Sequence, residues 1–267
     1  WMQENLKTTH YQNGDEIQTG YSEADWTSLS TGAYAVYDDS TSNADIYGNL
    51  YNWYVIDDSR GICPEDWHIP SDNEWQTLVF HLDEDADSLG YPDQSDIVGG
   101  KMKELGNEHW HYYSDEVTNA ATNESGFTGL PGGSRYPYGF GYYGNLGING
   151  YFWSDTEYNS EKAWNRYLNW NKSSISMNHY DKNYGFSARC LADEVTTGCT
   201  DPEACNYDET ANADDGSCEY EVDCAGVCGG DAEEDNCGVR DNDSTNDCLM
   251  DCAGVPNGDN VEDMCGI

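Results

Sequence analysis

Positive charge is what this chain conspicuously lacks: 11 Lys and Arg stand against 51 Asp and Glu, a formal net charge of −40. A surface with that field repels polyanions, which argues against nucleic acid and against direct docking to anionic lipid. Long apolar runs are missing as well, since none approaches the roughly 18 residues that a membrane-spanning helix needs. From residue 193 onward the chain also lacks Trp, Phe and His, and its aliphatic and Met side chains number only ten in 75 residues. Such a segment cannot close around an apolar core, so covalent bridges or bound cations must hold it. Without His, zinc loses its usual nitrogen ligand there.

What the last 75 residues do contain is cysteine and carboxylate. Nine of the eleven cysteines (199, 205, 218, 224, 228, 237, 248, 252 and 265) and 22 acidic residues fall there, with Arg240 the one basic residue. Disulfides at this density persist in oxidising surroundings, so an extracellular protein is expected. The stretch 223–238 recurs 28 positions later at 251–266, with Asp-Cys-Ala-Gly-Val opening both copies. The tail therefore divides into a Cys/Asp-rich module over 193–222, a first repeat over 223–250, and a second, incomplete repeat over 251–267. Pro256 stands where the first copy has Cys228, and Arg240 where another cysteine is expected. Nine thiols cannot all pair among themselves. A chain that opens on Trp1 and stops inside a repeat reads as a piece of a longer, processed protein.

Oxygen ligands at alternate positions of turn-forming runs are what a hard cation needs. On that pattern Ca²⁺ is the expected ion, with Asp208, Asn212, Asp214, Asp215, Asp231, Asp235, Asp241, Asp243, Asp247, Asp259 and Asp263 as candidate ligands. No run completes the twelve-residue EF-hand loop, and the competing reading is a solvated acidic linker. Gly198-Cys-Thr-Asp-Pro-Glu-Ala-Cys-Asn-Tyr-Asp208, followed by the Asp-Cys-Ala-Gly-Val units, resembles repeats of large secreted bacterial surface proteins. More distantly it resembles thrombospondin type 3 Ca²⁺ repeats. That resemblance implies a spacer between a displayed domain and its anchor.

The first 192 residues are different material. They hold all nine Trp, all five Phe and 19 of the 21 Tyr, with turn signals at Asn13-Gly14, Gly99-Gly100, Pro131-Gly-Gly133 and Asn149-Gly150. Short aromatic strands joined by turns and long loops are predicted. One helix is clear: Ser71-Asp-Asn-Glu74 is a capping box, and Trp75, Leu78, Val79 and Leu82 then recur at i, i+3, i+4 and i+7. A shorter helix is predicted from about Gly100 to Leu105. Cys63 and Cys190 are the head's two cysteines, and a bridge between them would stabilise the fold by about 5 kcal/mol in the chain-entropy model.

Seven blocks then fall in order along the head. They are Trp1-Met-Gln-Glu-Asn-Leu6, Tyr47-Gly-Asn-Leu-Tyr-Asn-Trp53, Cys63-Pro-Glu-Asp-Trp-His-Ile-Pro70, Asn123-Glu-Ser-Gly-Phe127, Leu130-Pro-Gly-Gly133, Phe152-Trp-Ser-Asp-Thr156 and Gly185-Phe-Ser-Ala-Arg-Cys190. Together they resemble the Fibrobacter succinogenes major paralogous domain, FISUMP, over residues 1–192. The resemblance implies a secreted α+β domain, similar to C-type-lectin-like and formylglycine-generating-enzyme folds, with a twisted antiparallel sheet, one or two helices and long loops. It supplies no catalytic residues.

Three functions are open to such a head. Tyr136, Tyr138, Phe140, Tyr142 and Tyr143 crowd a Gly-rich loop, and Trp164, Tyr167 and Trp170 lie among Asn165, Asn169 and Asn171. Aromatic faces beside carboxamides suit a glycan or surface polymer, although each ring taken alone is more readily a core residue. Catalysis would have to draw on Asp155, Glu157 or the His109-Trp-His111 pair, which a strand would place on one face. The third function is structural: a subunit of an extracellular assembly packed against its neighbours. Adhesion or glycan binding without catalysis is the leading expectation.

Overall fold

The computed structural model describes residues 1–87, 91–106, 108–111, 121–138, 142–234, 238, 240–241 and 254–258. It separates into two compact units, Trp1–Asp193 and Glu194–Ile267. The first is a mixed α+β unit. Its helices are α1 (Glu23–Thr27), α2 (Thr41–Tyr47), α3 (Trp53–Ile56), α4 (Asp72–Leu82) and α5 (Val98–Met102). Its strands are β1 (Tyr34–Ala35), β2 (Leu50–Tyr51), β3 (Trp67–His68), β4 (Asp93–Ser95), β5 (Gly132–Arg135), β6 (Tyr143–Leu146), β7 (Asn149–Glu157), β8 (Lys162–Asn169), β9 (Ile175–Asp181) and β10 (Leu191–Ala192).

Six strands form the central sheet in the order β4-β9-β8-β7-β5-β6. Its long members, β7, β8 and β9, are consecutive and antiparallel, as tight connections favour, whereas β5 lies parallel to β7 at Gly133 and Gly150. The sheet is thus mixed rather than wholly antiparallel. Gly133 takes φ +68°, and a Cβ there would come within 2.5 Å of the Gly144 carbonyl oxygen, so this junction requires glycine.

Strand β7 is covered on both sides, and its side chains alternate between two cores. Tyr151 and Trp153 join Tyr51, Trp53, Val55, Ile62 and Phe186 on one face. Phe152 points the other way, into a core with Leu168, Ile175, Trp75 and Val79 of α4, Val98 and Met102 of α5, Trp110 and Phe127. Helix α4 carries the predicted capping box in both directions, and Trp75 and Val79 are its buried residues. Helix α5 starts earlier than predicted and ends at Met102, because Lys103 turns extended. Gly99 lies inside it: a Cβ there would meet the Ser174 carbonyl oxygen at 2.0 Å, so the helix seats directly on the chain leading into β9.

The head's first and last segments run side by side. The Met2 amide donates to the Cys190 carbonyl at 3.0 Å and the Leu6 amide to Ala188 at 2.9 Å. Strand β10 pairs with β3, and the predicted Cys63–Cys190 bridge fixes the same place. Arg189, wholly buried, donates Nε to Asn5 Oδ1 at 2.8 Å and its terminal nitrogens to the carbonyls of Met2, Phe127 and Thr128. Burial lowers its pKa to about 9.

The second unit is held by two overlapping bridges, Cys199–Cys218 and Cys205–Cys228, each closing a loop worth about 3 kcal/mol in the chain-entropy model. Regular structure is limited to a parallel pair, β11 (Thr197–Gly198) with β12 (Ala213–Asp214), and an antiparallel pair, β13 (Glu233–Glu234) with β14 (Arg240–Asp241). Among the described residues Cys224 is the free thiol. Cys237, Cys248, Cys252 and Cys265 lie outside the described residues.

Candidate binding surface

Where the first core reaches the edge of its cover, the sheet presents tyrosine instead of aliphatic side chains. Tyr151 pairs with Tyr167, and Ala163 with Tyr180, so alternation along β7, β8 and β9 places Tyr151, Tyr167 and Tyr180 on one face. Tyr167, Tyr180 and Tyr184 are half-buried against that core. Tyr136 and Tyr138 extend the group from the loop after β5.

The rings form a continuous path. Centroids lie 6.2 Å apart for Tyr138 and Tyr184, 5.0 Å for Tyr184 and Tyr180, 6.0 Å for Tyr180 and Tyr151, and 5.6 Å for Tyr151 and Tyr167. Tyr136 meets Tyr184 edge-on at 6.0 Å, and Phe186 underlies Tyr151 at 4.7 Å. Carboxamides are threaded through the group. Asn145 Nδ2 donates to the Tyr136 hydroxyl at 2.9 Å and the Tyr151 hydroxyl at 3.3 Å, and Asn149 Nδ2 to the latter at 2.8 Å. Asn165, fully buried opposite Trp153 and Asn178, has neither side-chain polar atom partnered.

The hydroxyls of this surface stay protonated at neutral pH. Burial raises the pKa of Tyr151 and Tyr184 and pushes Tyr180 up to about 12, and the hydrogen bond to Asp181 raises Tyr138. Neutral phenols and amides offer both donors and acceptors beside flat apolar rings. That combination suits a hydroxyl-rich, uncharged ligand. A neighbouring cavity of about 300 Å³ at Tyr138 is lined by Tyr54, Ser160, Glu161, Asp181 and Asn183 among others.

The sequence-predicted ring residues do not all meet here. Tyr136, Tyr138 and Tyr167 do. Tyr142 is exposed, while Tyr143 packs on Tyr37 at 5.2 Å, and its hydroxyl donates to Asp39 at 2.8 Å. Trp164 belongs to a separate stack in which His179 lies 3.9 Å from Tyr158, nearly parallel to it, with Tyr91 at 6.1 Å and Trp164 edge-on at 5.4 Å. Trp170 packs on the second core and meets His111 edge-on at 5.4 Å. Phe140 lies outside the described residues. Sequence reasoning missed Tyr151, Tyr180 and Tyr184; the alternation in Ser176-Met-Asn-His-Tyr180 was the available signal.

The catalytic candidates do not assemble. No strand runs through His109 and His111, so the same-face geometry expected of them is absent: His109 Nδ1 bonds Glu104 at 2.8 Å, and His111 turns to Trp170. Glu157 pairs with Lys182. Asp155 lies near His68 and Glu74, its carboxyl raised mainly by burial. His68 bridges two carboxylates, Asp193 through Nδ1 and Glu74 through Nε2 at 2.8 Å. Among the described residues no three His, Cys, Asp or Glu side chains are grouped to hold a metal.

The tail carboxylates that are described cap turns instead. Asp208 accepts from the Thr210 amide at 2.9 Å, Asp214 from Gly216 at 3.0 Å and Asp215 from Ser217 at 2.9 Å. Asp223, which opens the repeat, accepts from the amides of Ala225, Val227 and Ala232. Asn212 bonds Thr196 and Glu194. Ca²⁺ would have to take these oxygens from backbone amides. Asp231 is exposed. Asp241 is described in its backbone alone, and Asp235, Asp243, Asp247, Asp259 and Asp263 lie outside the described residues.

The family model described as the Fibrobacter succinogenes major domain matches residues 1–192. A stretch of 52 residues is 46% identical to ribulose bisphosphate carboxylase/oxygenase activase, chloroplastic, of Spinacia oleracea, covering 20% of this chain and 10% of that protein. The chain thus spans about a tenth of the curated relative it matches. No solved structure matches it.

Proposed function

We propose that this chain, which belongs to the Fibrobacter succinogenes major domain family, is a non-catalytic extracellular binding module. In this reading its head holds an uncharged glycan or surface polymer across the tyrosine path, and its tail is a disulfide-pinned, acidic spacer. The observation that carries it is the continuous row of half-buried rings from Tyr138 to Tyr167, with carboxamides bonded to its hydroxyls. Half-buried tyrosines are held in place, so they bind a ring without first losing rotamer freedom. The net charge of −40 favours neutral over sulfated or uronic polymers. A C-type-lectin-like or formylglycine-generating-enzyme-like fold is part of this proposal, supported by the mixed sheet with few helices and long connections. So is Ca²⁺ as the stiffening ion of the tail, supported by its 22 carboxylates against one arginine.

The test is a glycan array probed with the full chain, alongside Tyr167→Ala and Tyr180→Ala. Selective binding that both substitutions weaken supports the reading; binding to no polysaccharide, or binding indifferent to both, overturns it. The stack of exposed Tyr91 and Tyr158 about His179 favours a second reading, a structural subunit whose exposed aromatics pack on neighbouring subunits. Sedimentation at micromolar concentration decides that one, since a strictly monomeric profile rules it out.

A further inference from the structure

We propose that the cavity between the end of α4 and strand β4 is a Ca²⁺ site, separate from the tyrosine surface and from the tail. The chain leaving α4 reads Asp83-Glu-Asp85-Ala-Asp87, with carboxylates at alternate positions, and β4 with the residue after it adds Asp93 and Asp96. All five line one cavity of about 430 Å³. Like charges gathered in this way repel one another unless a cation is shared among them. The cation paired with the group here is Lys172, whose Nζ stands 3.6 Å from Asp93 Oδ2.

Gln94 points independently to a ligand. It lines the same cavity and is 2% exposed, yet neither Oε1 nor Nε2 has a hydrogen-bond partner. A buried carboxamide with both ends unsatisfied is rare and needs an explanation, and a cation would satisfy its oxygen. Asp83 and Asp93 are already positioned, Asp83 accepting from Ser95 Oγ at 2.6 Å and Asp93 from Ser176 Oγ. Asp85 and Asp96 are exposed. The carboxylates do not converge on one point as the chain stands, so the ion would draw Asp85 and Asp96 inward against Gln94.

The donor set is oxygen throughout, without imidazole or thiolate, which selects a hard cation. A loop able to supply six or more oxygens without fixed octahedral geometry favours Ca²⁺ over Mg²⁺. Binding in the range of about 10⁻⁴ to 10⁻³ M, usual for extracellular modules, is expected. Its effect would be to pin the chain after α4 to β4, an edge strand of the sheet.

Thermal unfolding of the full chain, followed by tryptophan fluorescence, isolates the head because the tail has no Trp. Ca²⁺ should raise the midpoint and saturate at millimolar concentration, while Mg²⁺ and NaCl at equal ionic strength should not. Joint Asp85→Asn and Asp96→Asn substitution should weaken the apparent affinity at least tenfold and leave the Ca²⁺-free midpoint nearly unchanged. Gln94→Leu should raise the Ca²⁺-free midpoint and lower the response to Ca²⁺. The proposal is overturned if Ca²⁺ does not move the wild-type midpoint, if Mg²⁺ moves it equally, or if either variant keeps the full response.

Discussion

His68 and Asp193 stand 125 positions apart in the chain and are joined through the imidazole Nδ1. The other ring nitrogen is held by Glu74, the residue that completes the α4 capping box. Burial alone pulls this imidazole down, but its bonds to Asp193 and Glu74 and the charges of both carboxylates outweigh that and hold it above its usual value. Asp155 adds a third acidic group nearby.

A histidine with a raised pKa contributes stability that is complete below its ordinary value near 6.5 and is lost as pH rises through the raised one. The pairing of β10 with β3 should therefore loosen as the medium moves from mildly acidic to alkaline. Urea unfolding of the chain at a series of pH values should show that loss, and His68→Gln should flatten it. An unchanged profile in His68→Gln would show that the pair is structurally silent.

Lys103 should produce the opposite slope. It is wholly buried, donates to the Lys172 carbonyl and lies 5.0 Å from the centre of the Trp110 ring, and burial lowers its pKa to about 7. Between that value and about 10.5 the unfolded chain binds a proton that the folded one does not, so stability rises with pH by up to about 1.4 kcal/mol per unit. Lys103→Met should remove this increment and be more stable than wild type near pH 6. Comparison of the two unfolding midpoints at pH 6 and pH 9 measures it.

On the tyrosine surface, Tyr167→Ala and Tyr180→Ala should each weaken polymer binding by about tenfold, or about 1.4 kcal/mol. Tyr142→Ala should leave binding alone, since Tyr142 is exposed and outside the ring path. Circular dichroism of each variant separates lost binding from lost fold. Equal losses in all three would remove the path as the binding element.

In the tail, Asp223→Ala releases three backbone amides at once and should open the turn from Asp223 to Ala232 to proteolysis. Millimolar Ca²⁺ should slow cleavage of the wild-type tail while its disulfides remain intact. Cleavage at the same rate with Ca²⁺ and with chelator would leave the bridges as the sole restraint.

The features that could be read in the chain were local or had a single solution. The α4 cap needs only Ser71 and Glu74 three positions apart, and two cysteines in an oxidised head have one way to pair. The tyrosine surface depended on strand register, where a shift of one residue would send Tyr167 and Tyr180 to the opposite face. Helix α5 was misplaced because Gly99-Gly100 reads as a turn, whereas Gly99 is where the helix touches the Ser174 carbonyl. The expected His pair failed because no strand forms at 109–111. The Asp83 to Asp96 cluster passed unnoticed because 29 carboxylates in the head make any acidic run look ordinary.

The Cys63–Cys190 bond also has a mechanical meaning. Tension applied at Trp1 and Ala192 would pass along residues 1–63, cross the sulfur bridge and leave through Arg189's neighbour Cys190, bypassing everything between. Strands β4 to β9, and every ring from Tyr136 to Tyr184, lie inside that shielded loop. A domain wired in this way can be pulled hard at both ends while its binding face bears no load.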